Sequence, residues 1–202
     1  MDQPFSPVLP YYGNSNPWWY YSGSEAVESL PAQIVDWVLI ELRDAPNGAS
    51  ATSATMINRQ ALFLKSNGSI VALNGSSIPT TNVNVTQGLF AVIYHRNHLA
   101  VMNANPIPGA GGVYALDFTT SAANFYGGTT GCKELTTGVW GMIASDGNGD
   151  NIVDANDETA VWHIDAGMSG YLGSDFSAEA ESDNNDKNLY WLPNIGRTSQ
   201  VP

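Results

Sequence analysis

A chain of 202 residues with 43% hydrophobic side chains can bury a real core, which excludes global disorder and fits one medium domain. A net charge of −12, with only 7 Lys and Arg, excludes a basic surface able to neutralise nucleic acid. Cys132 is the single cysteine, so there is no intrachain disulfide framework, and no apolar run reaches the roughly 18–20 residues that span a bilayer.

The chain opens "MDQPFSPVLP", which lacks the basic-then-apolar order of a secretory signal peptide. Residues 1–24 then form an aromatic arm, in which Tyr11, Tyr12, Trp18, Trp19, Tyr20 and Tyr21 crowd together. Three readings fit such an arm. It is a stacking platform for sugars, a contact to a neighbouring subunit, or a strap over its own fold.

Residues 25–144 read mainly as short strands. A helix is expected near Glu25–Leu30. "QIVDWVLIELRD" (33–44) is rich in β-branched and aromatic residues and apolar on both parities, as in a central strand covered on both faces. "ALFLKSNGSIVAL" predicts a hairpin turning at Asn67-Gly68, and "LFAVIYHRNHLAVM" another turning at Arg96-Asn97. "GGVYALDFTT" and "TTGVWGMIASD" supply further strands. Such a series, punctuated by Gly, Asn and Thr, predicts a mainly β fold, an immunoglobulin-like antiparallel β-sandwich.

Candidates for chemistry are few in this region. His95 and His98 stand three apart in "HRNH", but a hairpin turn lies between them and no third metal ligand is near in sequence, so they read as packed side chains. Asp36, Glu41 and Asp44 read as surface or edge charges of a strand rather than an acid/base pair. Cys132 reads as a small packed residue. There is no GxSxG, Walker loop or HExxH, so nothing specifies an enzyme.

Charge is concentrated in the last third. Residues 1–140 carry 8 acidic and 5 basic side chains, whereas 141–202 carry 11 and 2. Within it, "DGNGDNIVDAND" sets Asp146, Asn148, Asp150, Asp154 and Asp157 at positions 1, 3, 5, 9 and 12, with the Ile152 carbonyl at 7. Those are the oxygen-ligand positions of a calcium loop, and Val153 at position 8 is the apolar peg into the core. Asn151 replaces the usual glycine at position 6, where the chain turns with positive φ, and asparagine is the next best residue there. Asp at position 12 has a shorter bidentate reach than the usual Glu.

A shift of 29 residues superposes this loop on "DFSAEAESDNND". Asp175, Ser177, Glu179, Asp183 and Asp186 then take the side-chain positions, and Glu181 gives the carbonyl. The same shift lays Trp162 on Trp191, while Ala180 at position 6 costs more than Asn. One calcium is expected in the first loop and a second in its degenerate copy. A short helical pattern follows each loop, "ANDETAVWHI" and "NNDKNLYWL", the second stopped by Pro193.

Two loop–helix units in tandem resemble a dockerin. Together with "IVDWVLIELRDA", "YHRNHLAVM", "ALDFTT", "GVWGMIASDGNGD" and "DKNLYWLPNIGRTSQVP", the chain over roughly 30–202 resembles a secreted bacterial surface-protein module. In that family a β-sandwich precedes a dockerin-like calcium segment, here 145–202, and in dockerins Asp at position 12 is usual. The resemblance implies an extracellular or cell-surface location and no transferable enzymatic role. The expected function is therefore a calcium-stabilised structural module that self-associates through its N-terminal arm, or with another surface protein, into a fibre or surface layer. The alternative is a partner-binding or carbohydrate-binding module of a larger secreted protein.

Overall fold

The computed structural model describes residues 1–6 and 17–202. It is mainly β, and its sheets are antiparallel. Strands β1 (Ile34–Asp44), β2 (Met56–Lys65), β3 (Ile70–Val71), β4 (Leu89–His95) and β5 (His98–Met102) form one sheet in the order β3-β2-β1-β4-β5. β1 is central, as its apolar residues on both parities predict. The turns expected at Asn67-Gly68 and Arg96-Asn97 close the β2–β3 and β4–β5 hairpins. Gly68 supplies the positive φ (83°) the first of these turns needs, and the Asn67 side chain accepts the Ser69 N–H.

The alternation along the strands builds two cores. Trp37, Leu39, Phe63, Phe90, Val92 and Tyr94 face one side, where Phe5 and Trp19 of the arm and Val201 of the C-terminal tail cover them. Val38, Leu62, Ile93 and Val101 face the other side, under Phe118, Phe125, Cys132, Trp140 and Met142. That second layer is irregular chain plus the hairpin of β8 (Lys133–Thr136) and β9 (Val139–Gly141). Another ribbon pairs β6 (Gly109–Ala110) with β7 (Val113–Tyr114). Among the described residues the strands expected to form a second broad sheet make these two-stranded ribbons, neither joined to the main sheet.

Two expectations need correction. Residues 25–30 form no helix, because Ala26 pairs with Asp2 and the Gln3 and Val27 amides bond across to Glu25 and Met1. The arm's two limbs thus make a narrow ribbon, which satisfies the same backbone groups a helix would. Nor are Asp36 and Glu41 surface charges, since both are buried. Glu41 accepts Arg43 Nε at 2.6 Å and pairs with Arg59 Nε at 2.8 Å. Arg43, itself fully buried, also donates to Ala51 O and Pro202 O, so the ion cluster ties the tail to the sheet. Asp44 is solvent-facing and collects the Thr86, Gln87 and Gly88 amides, capping the approach to β4.

The arm can be sorted residue by residue. Trp19 is buried, and its ring meets Phe5 edge-on at 5.6 Å. Tyr21 is half-buried and donates its hydroxyl to Glu25 and Arg59 O; burial and the Glu25 carboxylate push its pKa up to about 12. Trp18 and Tyr20 stay 47% and 38% exposed, while Tyr11 and Tyr12 lie outside the described residues. Trp19→Ala should therefore cost about 3–5 kcal/mol in denaturant unfolding. Trp18→Ala, one residue away, should change stability by less than about 0.5 kcal/mol.

Candidate metal centre

The two acidic loops lie between β9 and the C-terminus, each followed by a short helix. The first helix runs Asp157–Trp162 with wide π-type turns and continues as His163–Asp165. The second runs Asp186–Trp191 and continues as Leu192–Asn194, with Pro193 inside that final turn. The short helical patterns read from the sequence thus both fold, and proline is accommodated in the closing turn.

Each loop is shaped by the carboxylates at its ends. Asp146 accepts the amides of Asp150 (2.9 Å) and Asn151 (3.1 Å). Asp175 accepts those of Glu179 and Ala180, both at 3.0 Å. At the far end Asp157 accepts Gly147 N and Asp154 N, both at 2.7 Å, and Asp186 accepts Ser177 N and Asp183 N, both at 2.9 Å. The repeat is therefore one of geometry as well as of letters. The first and twelfth residues curl the backbone of each loop around them.

The correspondence continues beyond the loops. Gly167 and Gly196, again 29 apart, turn the chain with φ of 84° and 83°. Each returning segment pairs with the other unit's loop: Val153 N donates to Arg197 O and Gly196 N to Val153 O, while Ser182 N donates to Met168 O and Gly167 N to Ser182 O. The units interlock through their indoles. Trp162 Nε1 donates to Asp183 O (2.7 Å) and Trp191 Nε1 to Asp154 O (2.8 Å), so each tryptophan holds the ninth residue of the other loop. Val153 is buried with Leu99, Ile143 and Trp191, as a peg should be. The matching Ser182 is buried too, and its hydroxyl bonds Ser174.

Backbone conformation separates the copies. Asn151 (φ 74°) and Ala180 (φ 65°) both adopt the left-handed turn expected at position 6. A second such turn, two residues earlier, falls on Gly149 (φ 69°) and Ala178 (φ 61°). The second loop thus carries two strained alanines where glycine would be free. Ala178→Gly and Ala180→Gly should each stabilise the protein by about 1 kcal/mol, read as an upward shift in the thermal midpoint.

Electrostatics separates them as well. Burial raises the Asp146 pKa well above the ordinary carboxylate range, and repulsion from Asp157 and Asp150 adds to it. Burial pushes Asp157 up to about 7 against the lowering effect of the amides it accepts. The second loop has a partial counter-charge already, since buried Arg96 places Nη2 3.8 Å from the Asp175 carboxylate. There Glu179, Asp183 and Asp186 offer oxygens all within 4.8 Å of one another, the one such trio among the described residues. All-oxygen donor sets of Asp, Asn, Ser and Glu suit a hard cation.

The expected ligands Asp146, Asn148, Asp150, Asp154 and Asp157, with Ile152, thus line one loop, and Asp175, Ser177, Glu179, Asp183 and Asp186, with Glu181, the other. Sequence reasoning missed Arg96, Asn97 and Ala178. Ala178 was within reach, because the same shift that pairs the ligands sets it on Gly149. His95 and His98 pack edge to face, ring centres 4.6 Å apart, with His95 bonded to Asp36 and His98 to Asn97. Cys132 is buried beneath the sheet.

No protein-family model, no curated protein and no solved structure matches this chain. Among the described residues, no helix is long and apolar enough to cross a membrane.

Proposed function

We propose that this chain is a secreted, non-enzymatic structural module, stabilised by calcium in a dockerin-like pair of loop–helix units and assembling with copies of itself into an extracellular fibre or surface layer. The observation that carries the calcium reading is the duplicated loop geometry, in which first- and twelfth-position aspartates accept the same amides in both copies. Calcium bound there neutralises the crowded carboxylates and fixes the two helices, whose tryptophans pack on Leu99, Ile143, Ala144 and Phe176. Millimolar extracellular calcium at about 100 times a site's Kd adds about 2.7 kcal/mol for each site.

Support for assembly comes from the arm, where Trp18 and Tyr20 remain exposed beside the anchored Trp19 and Tyr21. The same pair suits the second reading, a carbohydrate- or partner-binding module, since aromatic faces stack on sugars. Light scattering of the purified chain in millimolar calcium tests the first reading. Large particles that shrink with a calcium chelator, and that are lost in Trp18→Ser/Tyr20→Ser, are the expected result. A monomer in both conditions overturns assembly. Retention of that monomer on a glycan column, lost with the same double substitution, supports the second reading. Deleting the whole arm is a poor test, because it strips Phe5 and Trp19 from the core.

A further inference from the structure

We propose that Asn97 is a positioning residue shared by both acidic loops, and that it makes their filling by calcium cooperative; this rests on the reading of those loops as calcium sites. Asn97 is the turn residue between β4 and β5 and is fully buried. Its main-chain oxygen accepts the amides of Ser145 (2.9 Å) and Asp146 (3.1 Å), at the entry of the first loop. Its side-chain Nδ2 donates to the carbonyls of Gly173 (3.0 Å) and Asp175 (2.8 Å), at the entry of the second. Oδ1 completes the set with His98 Nδ1 at 2.8 Å. One buried residue thus holds the first ligand of each loop, on a turn whose flanking strands belong to the main sheet.

Neighbouring bonds make this turn stiff on both sides. Leu99 N donates to Ile143 O and His98 bridges Ala144, which fixes the strand leading into the first loop. Arg96 donates to Leu172 O and pairs with Asp36 and Asp175, which fixes the approach to the second. A cation that draws Asp146 inward pulls on Asn97 O through the Ser145 and Asp146 amides. Because the turn is stiff, that pull is passed through Nδ2 to the Gly173 and Asp175 carbonyls. Part of the ordering cost of the second site is thus met by the first, and by reciprocity the effect runs both ways. The two indole bonds link the loops at their ninth residues, so Asn97 is the link at the ligands' leading end.

Calorimetric titration of the chelator-treated full chain with calcium chloride tests this. The wild type should bind two calcium ions, the second about tenfold more tightly than the first after statistical correction. Asn97→Ala should still bind two, with the coupling reduced to less than about twofold. Asn97→Ser, whose shorter side chain carries one proton and cannot bond both carbonyls, should lose the coupling likewise and serves if the alanine variant does not fold. The ratio of stepwise constants is the deciding readout, because a residue important only for general stability lowers both constants without changing it. Two independent sites in the wild type, or full coupling retained in a folded variant, overturn the inference while the calcium reading stands. No calcium bound by the wild type overturns the calcium reading and this inference with it.

Discussion

In the presence of a calcium chelator, the protein should become less stable as the pH rises from about 5 to about 8, with the C-terminal third loosening first. The direction follows from Asp157, whose pKa is raised from 3.8 to about 7 in the folded chain by burial. Between those values the folded state holds a proton that the unfolded state has released, so raising the pH favours unfolding. Asp146 is shifted the same way by burial and by its acidic neighbours. Between pH 5 and 8 about two units of that shift are crossed, so at 1.36 kcal/mol per unit Asp157 alone is worth on the order of 3 kcal/mol, or about 8 °C in the thermal midpoint of a chain this size. Calcium competes with that proton, so the slope should flatten in millimolar calcium. Thermal melts at matched pH with calcium or chelator measure both arms. A chelated protein as stable at pH 8 as at pH 5 would mean that these carboxylates are not crowded in solution.

The second large effect is expected at Asp36, far from the loop ligands in sequence but joined to them in space. Its carboxylate accepts the Trp37 amide at 2.7 Å, His95 Nε2 at 3.0 Å, Arg96 Nε at 3.1 Å and the Tyr171 hydroxyl. Burial alone would raise its pKa, but His95 and Arg96 beside it, with the Tyr171 hydroxyl, hold it well below the usual carboxylate range. It therefore stabilises the fold above the ordinary carboxylate pKa, and that contribution is lost as the pH falls toward its depressed value. Arg96 lies over the Tyr171 ring, 4.2 Å from its centre, so removing Asp36 leaves this buried guanidinium only the longer contact to the Asp175 carboxylate and takes the acceptor from the Tyr171 hydroxyl. Asp36→Ala should cost about 3–5 kcal/mol in denaturant unfolding. Asp44→Ala, at a carboxylate that is exposed, should cost far less. Equal costs at the two positions would show that the buried cluster contributes nothing special.

The loop pattern was legible in the sequence because the oxygen-bearing residues recur at local spacings, and a shift of 29 residues exposed the duplication without any tertiary information. The hairpin turns at Asn67-Gly68 and Arg96-Asn97 were legible for the same local reason. What stayed hidden depends on partners distant in the chain. A carboxylate on a strand reads as an edge charge until Arg96, His95 and Tyr171 are brought around Asp36. Phe5 and Trp19 cannot be told from Trp18 by composition, since what separates them is which ring reaches the apolar face of the sheet. The helix expected over 25–30 gives way to the Asp2–Ala26 pairing, a contact that periodicity within the segment cannot reveal. Asn97 looked like a turn former and nothing more. Its bonds to both loop entries exist because the fold brings residues 145 and 173–175 to one turn.

The most direct test of the account is the number of calcium ions held by each chain, counted by native mass spectrometry after exchange into low-calcium buffer. The duplicated loops predict two ions on the wild type, fewer after Asp157→Ala or Asp186→Ala, and none with both substitutions. A wild-type chain that carries no calcium, or one whose calcium survives the double substitution, would contradict the assignment of these loops as the metal centre.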